Sequence, residues 1–205
     1  TTRGIYEKDE IRAYVPDQDI TAPWWASKAE DWWKLAAEND YWQGGFIWTG
    51  FDYRGEPTPY KWPNVNSHFG IMDVCGFPKN LYYYYKSWWT DEDVIHISPH
   101  WNWSEKIGKP IDVWVNSNAD NVELFLNGKS LGKKTMPKNS HLQWQVNYEP
   151  GTLEAVGYKK GKKITTKVET TSTPYKVVAT TEKNIMIADG KDATVINISI
   201  VDDKG

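Results

Sequence analysis

The chain has 205 residues, which is enough for one large domain or two smaller ones. Its net charge of −3 provides no basic field for a phosphate backbone, so nucleic acid is excluded as an expected partner. The single cysteine, Cys75, excludes an internal disulfide and a cysteine-built zinc site, and no apolar stretch reaches the roughly 18 residues of a membrane span.

The first predicted element is an amphipathic helix over residues 21–39, in a part of the chain that is rich in tryptophan. Nine of the 13 tryptophans precede residue 90. Ser27 and Glu30 have the spacing of a capping box at the start of this helix. The apolar residues that recur at helical spacing are Trp25, Ala29, Trp32, Trp33 and Ala36. Such rings either fill a core or bind sugar, since a pyranose packs its C–H face on an aromatic ring.

A buried strand is predicted next, after Gly44 and Gly45 break the helical pattern. Residues 46–51, FIWTGF, lack polar alternation, which is typical of a parallel strand covered on both faces. A proline-rich loop of about 25 residues follows, and a loop of that length indicates a functional segment. Residues 79–89, KNLYYYYKSWW, predict a second helix with one apolar stripe.

From about residue 90 the pattern changes to short alternating segments separated by turns, which predict an antiparallel β-sandwich over residues 94–172. Asn127 and Gly128 form a strong hairpin dipeptide, and Gly161 marks a second hairpin turn. Trp101 and Trp103 are predicted to alternate along a strand and to lie in the core or an interface.

Residues 173–205 predict two or three more strands after Thr173 and Pro174, which look like a hinge. These strands are too few to close a sandwich by themselves. We therefore expect this segment to be the truncated start of a further domain. Its aspartates lie near turns, where solvated acids are common, and no spacing of ligand-type side chains predicts a metal or another cofactor.

Three segments carry a resemblance to a known family. They are residues 44–60 (GGFIWTGFDYRGEPTPY), 66–89 (NSHFGIMDVCGFPKNLYYYYKSWW) and 122–132 (VELFLNGKSLG). In this order they resemble the glycoside hydrolase family 2 β-galactosidases, particularly those of gut bacteria related to Bacteroides. The resemblance implies that residues 1–93 are the C-terminal portion of a (β/α)8 TIM barrel. It further implies an immunoglobulin-like sandwich over residues 94–172 and the start of a second immunoglobulin-like domain over 173–205.

The resemblance also explains the change of character within residues 44–60. In such a barrel the strand is core, whereas the loop after its C-terminal end builds the active site. Residues 46–50 would then be the eighth strand. Trp48 matches the tryptophan at the floor of the sugar pocket, and a non-proline cis peptide bond often follows it in the family.

Four polar residues of the long loop are further candidates for sugar binding. Asp52 and Glu56 either accept hydrogen bonds from sugar hydroxyls or lock the loop, with Arg54 as a possible ion-pair partner. Asn66 and His68 match positions where the family places polar residues that discriminate between sugars. The family takes its two catalytic glutamates from the ends of the fourth and seventh strands, and the resemblance places both upstream of Thr1.

The expected parent protein is a retaining β-galactosidase that acts on terminal β-D-galactosides or oligosaccharides, and the chain alone is expected to be inactive. The rest of the same polypeptide is its expected partner. The bacterial periplasm or the extracellular space is the compartment that the resemblance implies. Two alternatives stay open. One is a carbohydrate-binding or adhesion module in which the sandwich does the binding, and the other is a sister activity such as β-glucuronidase or β-mannosidase.

Overall fold

The structure is a computed structural model that describes residues 26–57 and 61–205. The chain divides into two compact units, Thr1–Glu169 and Thr170–Gly205. Within the described residues no helix is long and apolar enough to cross a membrane. The predictions for Trp25 and for the first turn of the N-terminal helix lie outside the described residues.

Most of the first unit is a two-sheet antiparallel sandwich. The strands are β1 (Ile95–Ser98), β2 (Pro110–Ser117), β3 (Asn121–Leu126), β4 (Lys129–Thr135), β5 (Leu142–Asn147), β6 (Thr152–Lys159) and β7 (Lys162–Glu169). One sheet has the order β1-β2-β5 and the other has the order β4-β3-β6-β7. The predicted immunoglobulin-like sandwich is thus confirmed.

Side-chain alternation builds the core between the two sheets. In β3 and β6 every second residue is buried, whereas β2 is buried on both faces because the helix Asn80–Trp89 covers its outer face. The predicted hairpin at Asn127 and Gly128 joins β3 to β4, and both residues have positive φ, 51° and 79°. That backbone geometry is the one a two-residue hairpin turn requires.

The segment that contains Trp101 and Trp103 corrects one prediction. Both side chains are buried, as expected for core residues, but neither lies in a strand. Pro99 follows the last residue of β1 and has no amide N–H to continue a sheet. The indole N–H of Trp101 instead donates to the carbonyl of Glu149 at 3.0 Å.

Two helices precede the sandwich, α1 (Ala29–Glu38) and α2 (Asn80–Trp89). The prediction of α2 is confirmed. The capping box at the start of α1 is wrong, because Lys28 is the N-cap residue and no side chain caps the helix. The Glu30 carboxylate instead accepts a hydrogen bond from His141 of the sandwich.

The aromatic side chains in the described part of α1 pack against α2. The rings of Trp32 and Trp33 lie 6.4 Å and 5.4 Å from the ring of Trp89 in α2, measured between centroids. Tyr84 and Tyr85 of α2 are buried in the same cluster. The two helices therefore cover each other's aromatic side chains.

The helices meet the sandwich at residues 139–141, the last part of the connection between β4 and β5, which we call the junction loop. Four side chains donate to it, and one of them is Lys34, whose Nζ donates to the Ser140 hydroxyl at 3.2 Å. Trp33 Nε1 donates to Asn139 Oδ1 at 3.1 Å, and Tyr84 donates to the Asn139 carbonyl at 2.8 Å. Trp88 Nε1 donates to the Ser140 carbonyl at 3.1 Å. One short loop thus accepts hydrogen bonds from both helices.

Glu30 adds a charged contact to the junction loop. Its carboxylate accepts hydrogen bonds from Lys34, Ser140 and the Nδ1 of His141, each at 2.5 Å. Burial raises the pKa of Glu30, but these three hydrogen bonds more than offset it, so the pKa falls from 4.5 to about 2. The ring of His141 also stacks on Trp114 of β2, with centroids 3.8 Å apart.

The prediction that residues 46–50 form a barrel strand is wrong. Residues 46–50 form no strand, and the segment pairs through a single parallel bridge, between Phe51 and Met72. A parallel strand buried on both faces needs a neighbour on each side. Residues 26–57 and 61–93 supply one such neighbour, so the closed barrel is not present in the described part of the chain.

The second unit is a hairpin of β8 (Lys176–Thr181) and β9 (Ile196–Val201). Val177, Ile198 and Ile200 are exposed on it. The aspartates of this unit act as turn residues, since Asp189 accepts the amides of Lys191 and Asp192 at 2.8 Å each. This use of Asp189 agrees with the sequence prediction.

Acid should weaken the contact between α1 and the junction loop. Because the folded-state pKa of Glu30 lies below its ordinary value, its stabilising contribution is complete above about pH 4.5 and is lost as the pH falls toward about 2. We expect Glu30→Gln to flatten this acid-dependent loss, measured as the urea midpoint against pH. The exposed Asp31→Asn is the matched control in the same helical turn. Parallel loss of stability in wild type and Glu30→Gln would contradict the assignment.

Candidate sugar-binding site

The candidate site lies on two segments that we call the site loops, residues 48–57 and 64–72. The amide of Ser67 donates to the carbonyl of Tyr53 at 2.8 Å, and the amide of Tyr53 donates to the Ser67 hydroxyl at 3.1 Å. Arg54 and Asn66 form an antiparallel bridge. The site loops therefore hold each other in register without forming a regular sheet.

A second set of backbone hydrogen bonds joins the start of one loop to the end of the other. The amides of Thr49 and Ile71 take part in bonds of 3.1 Å and 2.9 Å, to the carbonyls of Phe69 and Thr49 respectively. Gly70 lies inside this contact. A Cβ atom there would approach the backbone of Asp52 and Met72 to 2.2 Å and 2.3 Å. The close approach of the loops thus depends on glycine.

Trp48 presents its ring to solvent at the edge of the site loops. The residue is 72% exposed, and the Trp48-Thr49 peptide bond is cis, as the family resemblance implied. Its Nε1 donates to the hydroxyl of Tyr53 at 3.1 Å, and the two rings meet edge to face with centroids 5.9 Å apart. Tyr53 therefore holds the indole by its edge and leaves a ring face available.

Glu56 continues this chain of hydrogen bonds. The hydroxyl of Tyr53 donates to the Glu56 carboxylate, and that bond raises the pKa of Tyr53. Glu56 has a positive φ of 46° and is exposed. The arrangement places one carboxylate, one phenol and one indole side by side at the surface.

Asp52 has a different setting, inside the contact between the loops. Its Oδ1 accepts the amide of Gly70 at 2.8 Å, and both carboxylate oxygens lie 2.8 Å from the Nζ of Lys79. The side chains of Asp52 and Lys79 are only 10% and 16% exposed. The ion-pair partner is thus Lys79 and not Arg54, which corrects the sequence expectation. These contacts favour the loop-locking interpretation of Asp52 over direct contact with sugar.

Asn66 and His68 lie on the second site loop. The Oδ1 of Asn66 is buried, and no described residue donates a hydrogen bond to it. Burial lowers the pKa of His68, and the nearby charge of Asp52 acts in the opposite direction. The structure thus brings all five predicted residues onto the paired site loops, Trp48 and Glu56 at the surface and Asp52 within.

Sequence reasoning missed Tyr53 and Lys79, which link the predicted residues together. Lys79 ends the long loop directly before α2, and a lone lysine at that position gives no signal of a buried carboxylate partner. Tyr53 lies between two acids in a stretch that was interpreted through its charges alone. Cys75 lies exposed in the loop between the site loops and α2.

The chain matches one family model and several proteins of known sequence. A family model described as a domain of unknown function (DUF4982) matches residues 108–165, within the sandwich. Beta-galactosidase BoGH2A of Bacteroides ovatus is 46% identical over 184 residues, which cover 88% of this chain and 21% of that protein. A putative beta-glucuronidase of Formosa agariphila is 45% identical over 156 residues, 73% of this chain and 15% of that protein.

Solved structures of glycosidases also resemble this chain. A beta-glycosidase from Bacteroides vulgatus aligns with a TM-score of 0.81 and 37% identity over 87% of this chain and 23% of that one. A glycosyl hydrolase family 2 member from Bacteroides cellulosilyticus aligns with a TM-score of 0.79 and 32% identity, over 87% of this chain and 28% of that one. The resemblance to glycoside hydrolase family 2 is confirmed. The chain spans 21% and 15% of the length of the two relatives named above.

Substitution of Gly70 should loosen the site loops. Gly70→Ala forces a methyl group against backbone atoms, and overpacking of this kind costs about 1–3 kcal/mol. We expect faster hydrogen exchange at the amides of Thr49 and Ile71, measured by NMR. Gly50→Ala is the matched control, because a Cβ atom at Gly50 meets nothing within 4 Å. Equal exchange in the two variants would show that the close approach at Gly70 does not hold the loops.

Proposed function

We propose that this chain is part of a retaining β-galactosidase of glycoside hydrolase family 2 and supplies the floor of its sugar pocket. The observation that carries the proposal is Trp48, an exposed indole within an apolar run, with the edge of its ring held by Tyr53. The 46% identity to a protein named beta-galactosidase supports the same activity. The parent would hydrolyse terminal β-D-galactosides, and the chain alone would be inactive.

The site loops suit one half of such a pocket. The C–H face of a galactose ring would pack on the exposed face of Trp48, as sugars pack on aromatic rings. Glu56 would accept hydrogen bonds from sugar hydroxyls, and Asp52 would support the loops from within. Asn66 and His68 would help to discriminate between sugars. The reaction itself would need two carboxylates about 5 to 5.5 Å apart, one as nucleophile and one as acid and then base. We place both on a preceding part of the same polypeptide.

Two observations favour a galactoside over a glucuronide as the substrate. The carboxylate of a glucuronide would require a positive charge in the pocket. The ammonium group of Lys79 is already paired with Asp52 at 2.8 Å. Burial lowers the pKa of His68, which disfavours its charged form. The 46% identity to BoGH2A over 88% of this chain supports the same choice.

The wider architecture follows from the same proposal. Residues 1–93 would be the end of the (β/α)8 barrel, and other barrel strands would supply the neighbours that residues 46–50 lack. Residues 173–205 would begin a second immunoglobulin-like domain, since one hairpin with exposed Val177, Ile198 and Ile200 is marginal by itself. The rest of the polypeptide and a galactoside would be the partners of this chain.

A sandwich that binds sugar by itself is the rival interpretation. Trp101, Trp103, Trp114 and Trp144 of the sandwich are all buried, so none offers a ring face to a ligand. Tyr158, at 40% exposure, is an aromatic candidate on the sandwich surface. This burial pattern favours the pocket around Trp48.

Trp48→Ala in the longer polypeptide should lower kcat/KM for a nitrophenyl β-D-galactoside at least about tenfold, or about 1.4 kcal/mol of transition-state stabilisation. The matched control is Tyr158→Ala, which removes an exposed aromatic ring of the sandwich. The β-D-glucuronide measured in parallel should be cleaved poorly. Activity that falls with Tyr158→Ala and not with Trp48→Ala would move the site to the sandwich. Faster cleavage of the glucuronide would replace the galactosidase assignment.

A further inference from the structure

We infer that the sandwich positions the sugar-binding loops, and that His96 and Asn80 are the positioning residues through which it does so. The inference rests on the proposed function where it calls these loops sugar-binding. It assigns a role to the sandwich, whose residues 108–165 match a domain of unknown function. The path consists of hydrogen bonds and one ion pair, and each step is visible in the structure.

The first step is on the outer face of the three-stranded sheet. His96 of β1 and Asn116 of β2 are register partners and therefore lie side by side. The Nε2 of His96 lies 2.8 Å from Asn80 Oδ1, and Asn116 Nδ2 donates to the Asn80 carbonyl at 3.4 Å. The ring of His96 stacks on Tyr83 with centroids 3.6 Å apart. Two sandwich side chains thus hold the first residue of α2.

The chemistry of His96 suits this contact. Its partner atom is an amide oxygen, which accepts only, so the Nε2 of His96 must donate. Burial lowers the pKa of His96 to about 4, so the ring is neutral near neutral pH and carries one N–H. A neutral, stacked imidazole with one donor fixes Asn80 in both distance and direction.

The second step runs along the backbone from Asn80 to Lys79. The amide of Lys79 donates to the carbonyl of Ile71 at 3.0 Å, so the chain is tied to a site loop just before α2 begins. Holding Asn80 therefore fixes where the Lys79 side chain starts. Its stem is long and flexible, and a fixed starting point reduces the freedom that the charged end must lose to reach Asp52.

The third step is the ion pair between Lys79 and Asp52, at 2.8 Å and with both side chains largely buried. The Nζ of Lys79 also donates to the carbonyl of His68 at 3.4 Å. Asp52 in turn accepts the amide of Gly70 at 2.8 Å. One ammonium group thus binds both site loops, and removing it would leave a buried carboxylate without its counter-charge.

Hydrogen exchange in the 205-residue chain tests the path without a sugar. His96→Phe keeps a ring that stacks on Tyr83 and removes the donor to Asn80. We expect this variant and Lys79→Met to raise the exchange rate of the Gly70 amide at least about tenfold, by local opening. The exchange of Val113, in the sandwich core, should stay unchanged. Lys79→Arg should restore slow exchange, since it keeps the charge. His100→Phe is the matched control, because His100 stacks on Trp103 within the sandwich.

Two results would overturn the inference. One is an unchanged Gly70 rate in a folded His96→Phe chain, and the other is a parallel rise at Gly70 and Val113, which would mean general destabilisation. In the longer polypeptide, His96→Phe should raise KM for the galactoside more than it lowers kcat. An unchanged KM in an active enzyme would also contradict the inference. Absence of any galactoside cleavage would contradict the proposed function instead, and the exchange rates would still decide the positioning.

Discussion

The ion pair between Asp52 and Lys79 is the contact on which the candidate site depends. Two irregular loops face each other there, and their backbone polar groups need partners that a regular sheet would otherwise supply. A carboxylate that accepts both an amide and an ammonium group at 2.8 Å meets part of that need. Gly70 allows the approach, and Tyr53 then fixes Trp48 and Glu56 at the surface. The exposed indole of Trp48 is therefore held in place by contacts that lead back to the Asp52–Lys79 ion pair.

The sandwich contributes polar contacts to this arrangement as well as a core. An outer sheet face is normally the solvated face of an antiparallel sheet. Here α2 covers the outer face of β1 and β2, and the polar side chains there bind the helices. The junction loop at residues 139–141 accepts four side-chain donors from α1 and α2, while His96 holds Asn80. Such directional contacts orient the helices more closely than apolar packing alone, because a hydrogen bond fixes distance and angle together.

Sequence patterns predicted the elements whose residues alternate or repeat locally. The sandwich strands, the turn at Asn127 and Gly128, and α2 are in this group, because side-chain period and turn chemistry are local properties. The prediction of a strand over residues 46–50 was wrong because strand pairing depends on neighbouring strands that are distant in sequence. The described residues provide a neighbour on one side only. The prediction that Glu30 caps α1 was wrong because its carboxylate binds His141, a residue distant in sequence. Lys79 could not be found, since no local pattern marks a lysine whose partner lies 27 residues away.

We propose that Trp48 is the floor of a galactose pocket that the paired loops support. A crystal structure of the longer polypeptide with bound galactose tests it most directly. We expect the C–H face of the sugar to pack on the indole of Trp48, with the Asp52–Lys79 pair intact beneath. Galactose bound on the sandwich surface near Tyr158, with Trp48 touching no ligand, would contradict it.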